Sequence, residues 1–126
     1  MQKNKNYFRI AIAFLPAVLW SGVIYYFSAQ QVLPGFTLDI GDFLFKKSAH
    51  IFVYAVLYFL LLLPFQYYSL GTGKKRWLIP LLIAISYAFL DELHQSFTPG
   101  RQPSFRDVGF DTLGCTLVLF KKLGYI

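Results

Sequence analysis

A chain of 126 residues has room for one domain, residues 1–126. It is 56% hydrophobic and only 14% charged, against about 25% charged in a typical soluble domain, so it has too little polar surface to cover a small globule in water. A net charge of +6 would suit nucleic acid, but the lysines and arginines flank apolar runs, as topology signals do; nucleic acid is set aside and the lipid bilayer is the expected partner.

The N-terminus is polar and basic, with Lys3, Lys5 and Arg9. Residues 7–28 then make about 33 Å of helix, enough for a hydrocarbon core of about 30 Å. Pro16 and Gly22 are tolerable in such a span. No small-x-small site follows closely, so the run is expected to stay as an anchor rather than be cleaved. Tyr25, Tyr26 and Phe27 are placed at the far interface, and Ser28-Ala29-Gln30-Gln31 ends the span. A connector follows with Pro34-Gly35, Asp39, Asp42, Lys46 and Lys47, part of it expected on the membrane surface.

The second span is residues 48–68, interrupted late by Pro64. His50 and Tyr54 are four apart and share a face. Glycines at 71 and 73 supply a tight turn, and Lys74-Lys75-Arg76 anchors it. Trp77 opens the third span, residues 77–96, and Thr98-Pro99-Gly100 breaks the chain after it. Ser104, three residues before Asp107, reads as an N-cap for the fourth span, residues 105–121. Lys121-Lys122 closes it. The single cysteine, Cys115, excludes an intramolecular disulfide and is expected to be a small packing residue.

These elements predict an all-α, four-transmembrane-helix bundle. Four spans put both termini on one side with Lys3, Lys5, Arg9, Lys74, Lys75, Arg76, Lys121 and Lys122. The other side receives Lys46, Lys47, Arg101 and Arg106. The excess of positive charge predicts cytoplasmic N- and C-termini and an extracytoplasmic polar cap.

The acids carry the functional signal. Asp91 lies about 21 Å along the helix from Trp77, and Asp111 about 15 Å from Lys121. Both fall inside the bilayer, where a charge costs about 3 kcal/mol and cannot face lipid. Asp91, Asp107 and Asp111 therefore need an interior or a wet cavity, with Arg101, Arg106, Lys47 and His50 as available partners. Asp91, His94 and Gln95 share one face, and Asp107, Asp111 and Gly114 another. Glu92 points about 100° from Asp91, so one of the two is expected to serve the loop. Gly114 should let a neighbouring helix approach closely. A salt-bridge clasp that only fixes helix packing is the competing reading.

The residues Asp91-Glu92 with Gln95, then Pro99-Gly100-Arg101, Ser104, Asp107 and Gly114, resemble the VanZ-like family of small bacterial membrane proteins. Lys47 with His50, Tyr54 and Leu57 looks like that family's second-span signature, and Ser28-Ala29-Gln30 like the polar end of its first. Two positions depart from the family: Asp111 stands where Asn is common, and Val118 where a second glycine is. The resemblance implies a multi-pass protein of the bacterial cytoplasmic membrane and, through the family's namesake, a link to resistance against teicoplanin, a lipid-tailed antibiotic.

The leading expectation is an outward pocket that binds or modifies an anionic envelope lipid or lipid-linked precursor. Arg101, Arg106, Gln95, Lys47, Ser104 and Tyr54 are the candidate ligand-binding residues. Asp91, Glu92, Asp107, Asp111 and His50 are the candidates for acid–base chemistry if the pocket is catalytic. No cofactor and no metal is expected. A metal-dependent lipid transferase built on Asp107-x3-Asp111, a small transporter and a non-catalytic helical scaffold are the alternatives.

Overall fold

The computed structural model describes residues 2–28, 40–97 and 105–126. These residues form five helices and no strand: α1 Gln2–Ala13, α2 Leu15–Ser28, α3 Ile40–Tyr67, α4 Lys75–Gln95 and α5 Phe105–Leu123. The expected turns at Pro34-Gly35 and Thr98-Pro99-Gly100, and the end of the first span at Gln30-Gln31, lie outside the described residues.

α1 and α2 are two parts of one apolar rod that meet at Phe14. The cause is Pro16, which has no N–H to give to the preceding turn. The chain bridges the gap with Phe14 N–H donating to the Ala11 carbonyl (3.2 Å) and Val18 N–H to the Phe14 carbonyl (3.0 Å). The stretch Asn6–Phe27 is long and apolar enough to cross a membrane, as are Leu44–Tyr67 and Lys75–Gln95. α5 is not among them: its 19 residues include Arg106, Asp107, Asp111, Lys121 and Lys122.

α3 corrects the expected connector. The helix starts at Ile40, eight residues before the predicted start of the second span, so Lys46 and Lys47 belong to its first turns and continue its axis. Pro64 does not end it; Tyr68 N–H still reaches the Pro64 carbonyl at 3.0 Å. After Tyr67 the chain turns through Gly71 (φ +78°) and Gly73 (φ +56°), left-handed conformations that glycine adopts without strain. In α4, Pro80 cannot donate to the Arg76 carbonyl. Gln66 of α3 supplies the missing donor through Nε2 at 3.3 Å. Tyr58 adds a hydroxyl donation to the Trp77 carbonyl at 3.0 Å, which ties the two helices together at this end.

Helix directions alternate. Trp20 faces Val53 and Phe14 faces Phe65, so α2 runs antiparallel to α3. Tyr54 faces Asp91 and Tyr58 faces Trp77, so α4 is antiparallel to α3 as well. α5 runs parallel to α3, pairing Lys47 with Asp107, His50 with Asp111 and Tyr54 with Cys115. α3 packs most extensively on α5, then on α4, and is the central element of the bundle. Its inner face, with Tyr54, Leu57, Tyr58, Leu61 and Leu62, makes the core together with Ala84 and Ala88 of α4 and Val108, Cys115 and Leu119 of α5. α2 adds only Ala17 and Ile24 to that core; Leu15, Val18 and Leu19 stay exposed, as side chains that face lipid do.

Gly114 sets the distance between α3 and α5. A Cβ there would sit 3.0 Å from the Ile51 carbonyl carbon and 3.1 Å from the Ala55 nitrogen, and closer still to the Ile51 oxygen. All three are backbone atoms, which cannot rotate away. The predicted close approach is thus made onto α3.

Candidate functional site

The α3 face that carries Lys47, His50 and Tyr54 meets one carboxylate at each step. Lys47 pairs with Asp107 of α5. His50 Nδ1 lies 2.7 Å from Oδ1 of Asp111, also on α5. The Tyr54 hydroxyl donates to Oδ2 of Asp91 on α4 at 3.1 Å. These three α3 residues follow at i, i+3 and i+7, so they form a stripe about 10 Å long down one side of the helix. On α5, Asp107 and Asp111 are spaced i, i+4, and the parallel run of the two helices brings both into register with the stripe. Gly114 one turn further on lets the backbones approach closely enough for the short His50–Asp111 contact.

Burial makes these pairs consequential. Asp111 is fully buried, and Asp91, Glu92, Gln95 and Asp107 are buried too. An isolated charge in such surroundings costs several kcal/mol, so each carboxylate needs its partner. Asp111 uses only one oxygen: its Oδ2 is buried and has no hydrogen-bond partner among the described residues.

Beside the stripe lies a cavity of about 320 Å³. α2 gives it an apolar wall of Trp20, Val23, Ile24 and Phe27, and α3 gives Phe45, Ala49 and Val53. Its polar lining is Lys46, Lys47, His50 and Tyr54 from α3, Asp91 and Gln95 from α4 and Asp107 from α5. The cavity therefore involves four helices, and α2 joins it although no candidate site residue was placed there. The α2 wall is held by two hydrogen bonds from aromatic side chains. Trp20 Nε1–H donates to the Val53 carbonyl at 2.8 Å, and the Tyr87 hydroxyl donates to the Ser21 carbonyl at 2.5 Å. His94 stacks on Tyr25, with ring centroids 4.5 Å apart, and does not line the cavity.

Of the predicted site residues, the structure brings Lys47, His50, Tyr54, Asp91, Gln95 and Asp107 to the cavity and Asp111 directly behind His50. Glu92 is buried but lies off the cavity, and the loop that one of the Asp91-Glu92 pair was expected to serve lies outside the described residues. Arg106 is exposed and does not line the cavity. Arg101 and Ser104 lie outside the described residues. Sequence reasoning missed Trp20 and Lys46. An indole N–H inside an apolar span must find an acceptor, and that requirement alone could have marked Trp20 as facing the bundle.

Among the described residues, no group of three or more His, Cys, Asp or Glu is placed to hold a metal ion. Asp107 and Asp111, the pair on which a metal-dependent transferase would rest, instead face Lys47 and His50, and an ammonium group beside Asp107 competes with a cation for its oxygens.

The fold and the site together define a membrane-type helical protein with a buried polar stripe at one end of its central helix. The family model described as VanZ/LLP1 matches residues 2–121. The chain belongs to the VanZ-like family. No curated protein and no solved structure matches it.

Proposed function

We propose that this protein spans the bacterial cytoplasmic membrane four times, with cytoplasmic termini, and that its cavity holds the headgroup of an anionic envelope amphiphile on the extracytoplasmic side. α5 is the fourth span: 19 residues make about 28 Å of helix, and its charged face is covered by α3. The observation that carries the binding reading is the cavity's two-part lining. An apolar wall of Trp20, Val23, Ile24 and Phe27 suits an acyl chain, while Lys46, Lys47 and His50 beside it suit a phosphate or carboxylate. The pocket residues are Lys46, Lys47, His50, Tyr54, Asp91, Gln95 and Asp107; Arg101 is a further candidate from the sequence. The link to teicoplanin follows from family likeness, and a lipid-tailed glycopeptide carries the same two chemistries.

The test uses purified protein in nanodiscs of mixed phosphatidylglycerol and phosphatidylcholine, with co-purifying lipid measured by mass spectrometry. Phosphatidylglycerol should be enriched by the wild type, reduced by Lys46→Gln, and unchanged by Arg106→Gln. Equal enrichment in all three would reject the cavity as the binding site. A reporter fused after Arg101 that is active only in the cytosol would reject the orientation.

A further inference from the structure

We propose that His50 is a proton-transfer residue, positioned by Asp111, and that the cavity hydrolyses a phosphate ester of the amphiphile it holds; this rests on the binding reading above. Nδ1 of His50 is 2.7 Å from a carboxylate that is itself fully buried. With Asp111 ionised, Nδ1 carries the proton, and Nε2 is left as the basic nitrogen. The imidazole lines the cavity and keeps 17% of its side-chain surface accessible, so a bound molecule can reach the ring while Asp111 holds its Nδ1. A clasp that served packing alone would have no need of a cavity against the ring. The orientation is rigid: Gly114 locks α5 to α3 one turn beyond Asp111. Lys46 and Lys47 border the same space and would draw charge from phosphoryl oxygens.

The step consumes one water. Nε2 takes a proton from that water as its oxygen forms a bond to phosphorus. The bond from phosphorus to the ester oxygen breaks, and the imidazolium returns its proton to the departing alcohol. No electron changes hands. Asp111 touches only the imidazole, so it is a positioning residue.

The probes are nanodiscs containing phosphatidylglycerol, a diester, and nanodiscs containing phosphatidic acid, a monoester. Released glycerol, diacylglycerol and inorganic phosphate are measured. Turnover of at least one lipid is expected. His50→Gln should lower it about 100-fold or more, far beyond the fall in lipid enrichment that loss of one pocket side chain causes. Asp111→Asn should lower kcat about 10- to 100-fold at unchanged KM and move the acidic limb of the pH–rate profile, which a packing role would leave in place. If His50→Gln does not fold, diethyl pyrocarbonate on a His94→Gln background, which leaves one histidine, should abolish turnover, and hydroxylamine should restore it. Enrichment of phosphatidylglycerol with no product from either lipid overturns the hydrolytic proposal and leaves the binding reading standing. Absence of both enrichment and product overturns both, and wild-type turnover by His50→Gln overturns the role of His50.

Discussion

Substituting Gly114 by alanine adds one methyl group where α3 and α5 are closest. The new carbon would lie 3.0 Å from the Ile51 carbonyl carbon and 3.1 Å from the Ala55 nitrogen, against an optimum of about 3.5–4.0 Å for non-bonded carbons. Because the opposing atoms are backbone and the Ile51 oxygen lies closest of all, the helices themselves must move apart by roughly 1 Å, and a gap of that size forfeits about half of each contact along the seam. The His50–Asp111 contact of 2.7 Å would open to about 3.7 Å, beyond the hydrogen-bonding limit. Overpacking of this kind costs about 1–3 kcal/mol, and the better helix propensity of alanine returns up to about 1 kcal/mol. The assay is reversible unfolding in mixed micelles. Gly22→Ala and Gly109→Ala are controls, since a Cβ at either meets nothing within 4 Å. A lower midpoint for Gly114→Ala, with both controls neutral or slightly stabilised, is the expected result. An unchanged midpoint for Gly114→Ala would refute the claim that backbone contact at this glycine sets the spacing of α3 and α5.

Two more predictions concern the same seam. The Lys47 and Asp107 side chains keep 19% and 13% of their surface exposed, so removing Lys47 alone should cost about 1–3 kcal/mol rather than the larger penalty of a fully buried charge. The double variant Lys47→Met with Asp107→Leu should recover most of that loss, and additive losses in the double-mutant cycle would show the pair to be energetically idle. Cys115 is 1% exposed, between α5 and the Tyr54 carbonyl. It should resist maleimide in the folded protein and react on unfolding, and rapid labelling under native conditions would place it elsewhere.

Much of the organisation was legible in the chain. Apolar run length located three helices that are long and apolar enough to cross a membrane, because a bilayer asks a fixed length of an uninterrupted helix. The i, i+4, i+7 spacing of Asp107, Asp111 and Gly114 placed them on one inward face before any partner was known. The start of α3 was not legible. Asp42, Lys46 and Lys47 read as loop by composition, whereas in the structure the helix runs through them and Lys47 pairs with Asp107 of α5. Lys47, His50 and the arginines all stood as available partners of the acids; the structure pairs Lys47 with Asp107 and His50 with Asp111, adds Tyr54 to Asp91, and leaves Arg106 exposed.

By itself, the sequence determined that the chain is helical, suited to lipid, and burdened with carboxylates that must be paired inside the bundle. It could do so because the cost of a charge in hydrocarbon depends on position along one helix, which can be counted. Which helix supplies the partners depends on rotation and spacing between helices, and those depend on contacts such as Gly114 against Ile51 and Trp20 against Val53. Only the tertiary structure decided that α3 stands at the centre, that α5 runs alongside it in register, and that an imidazole with a carboxylate behind it faces a cavity.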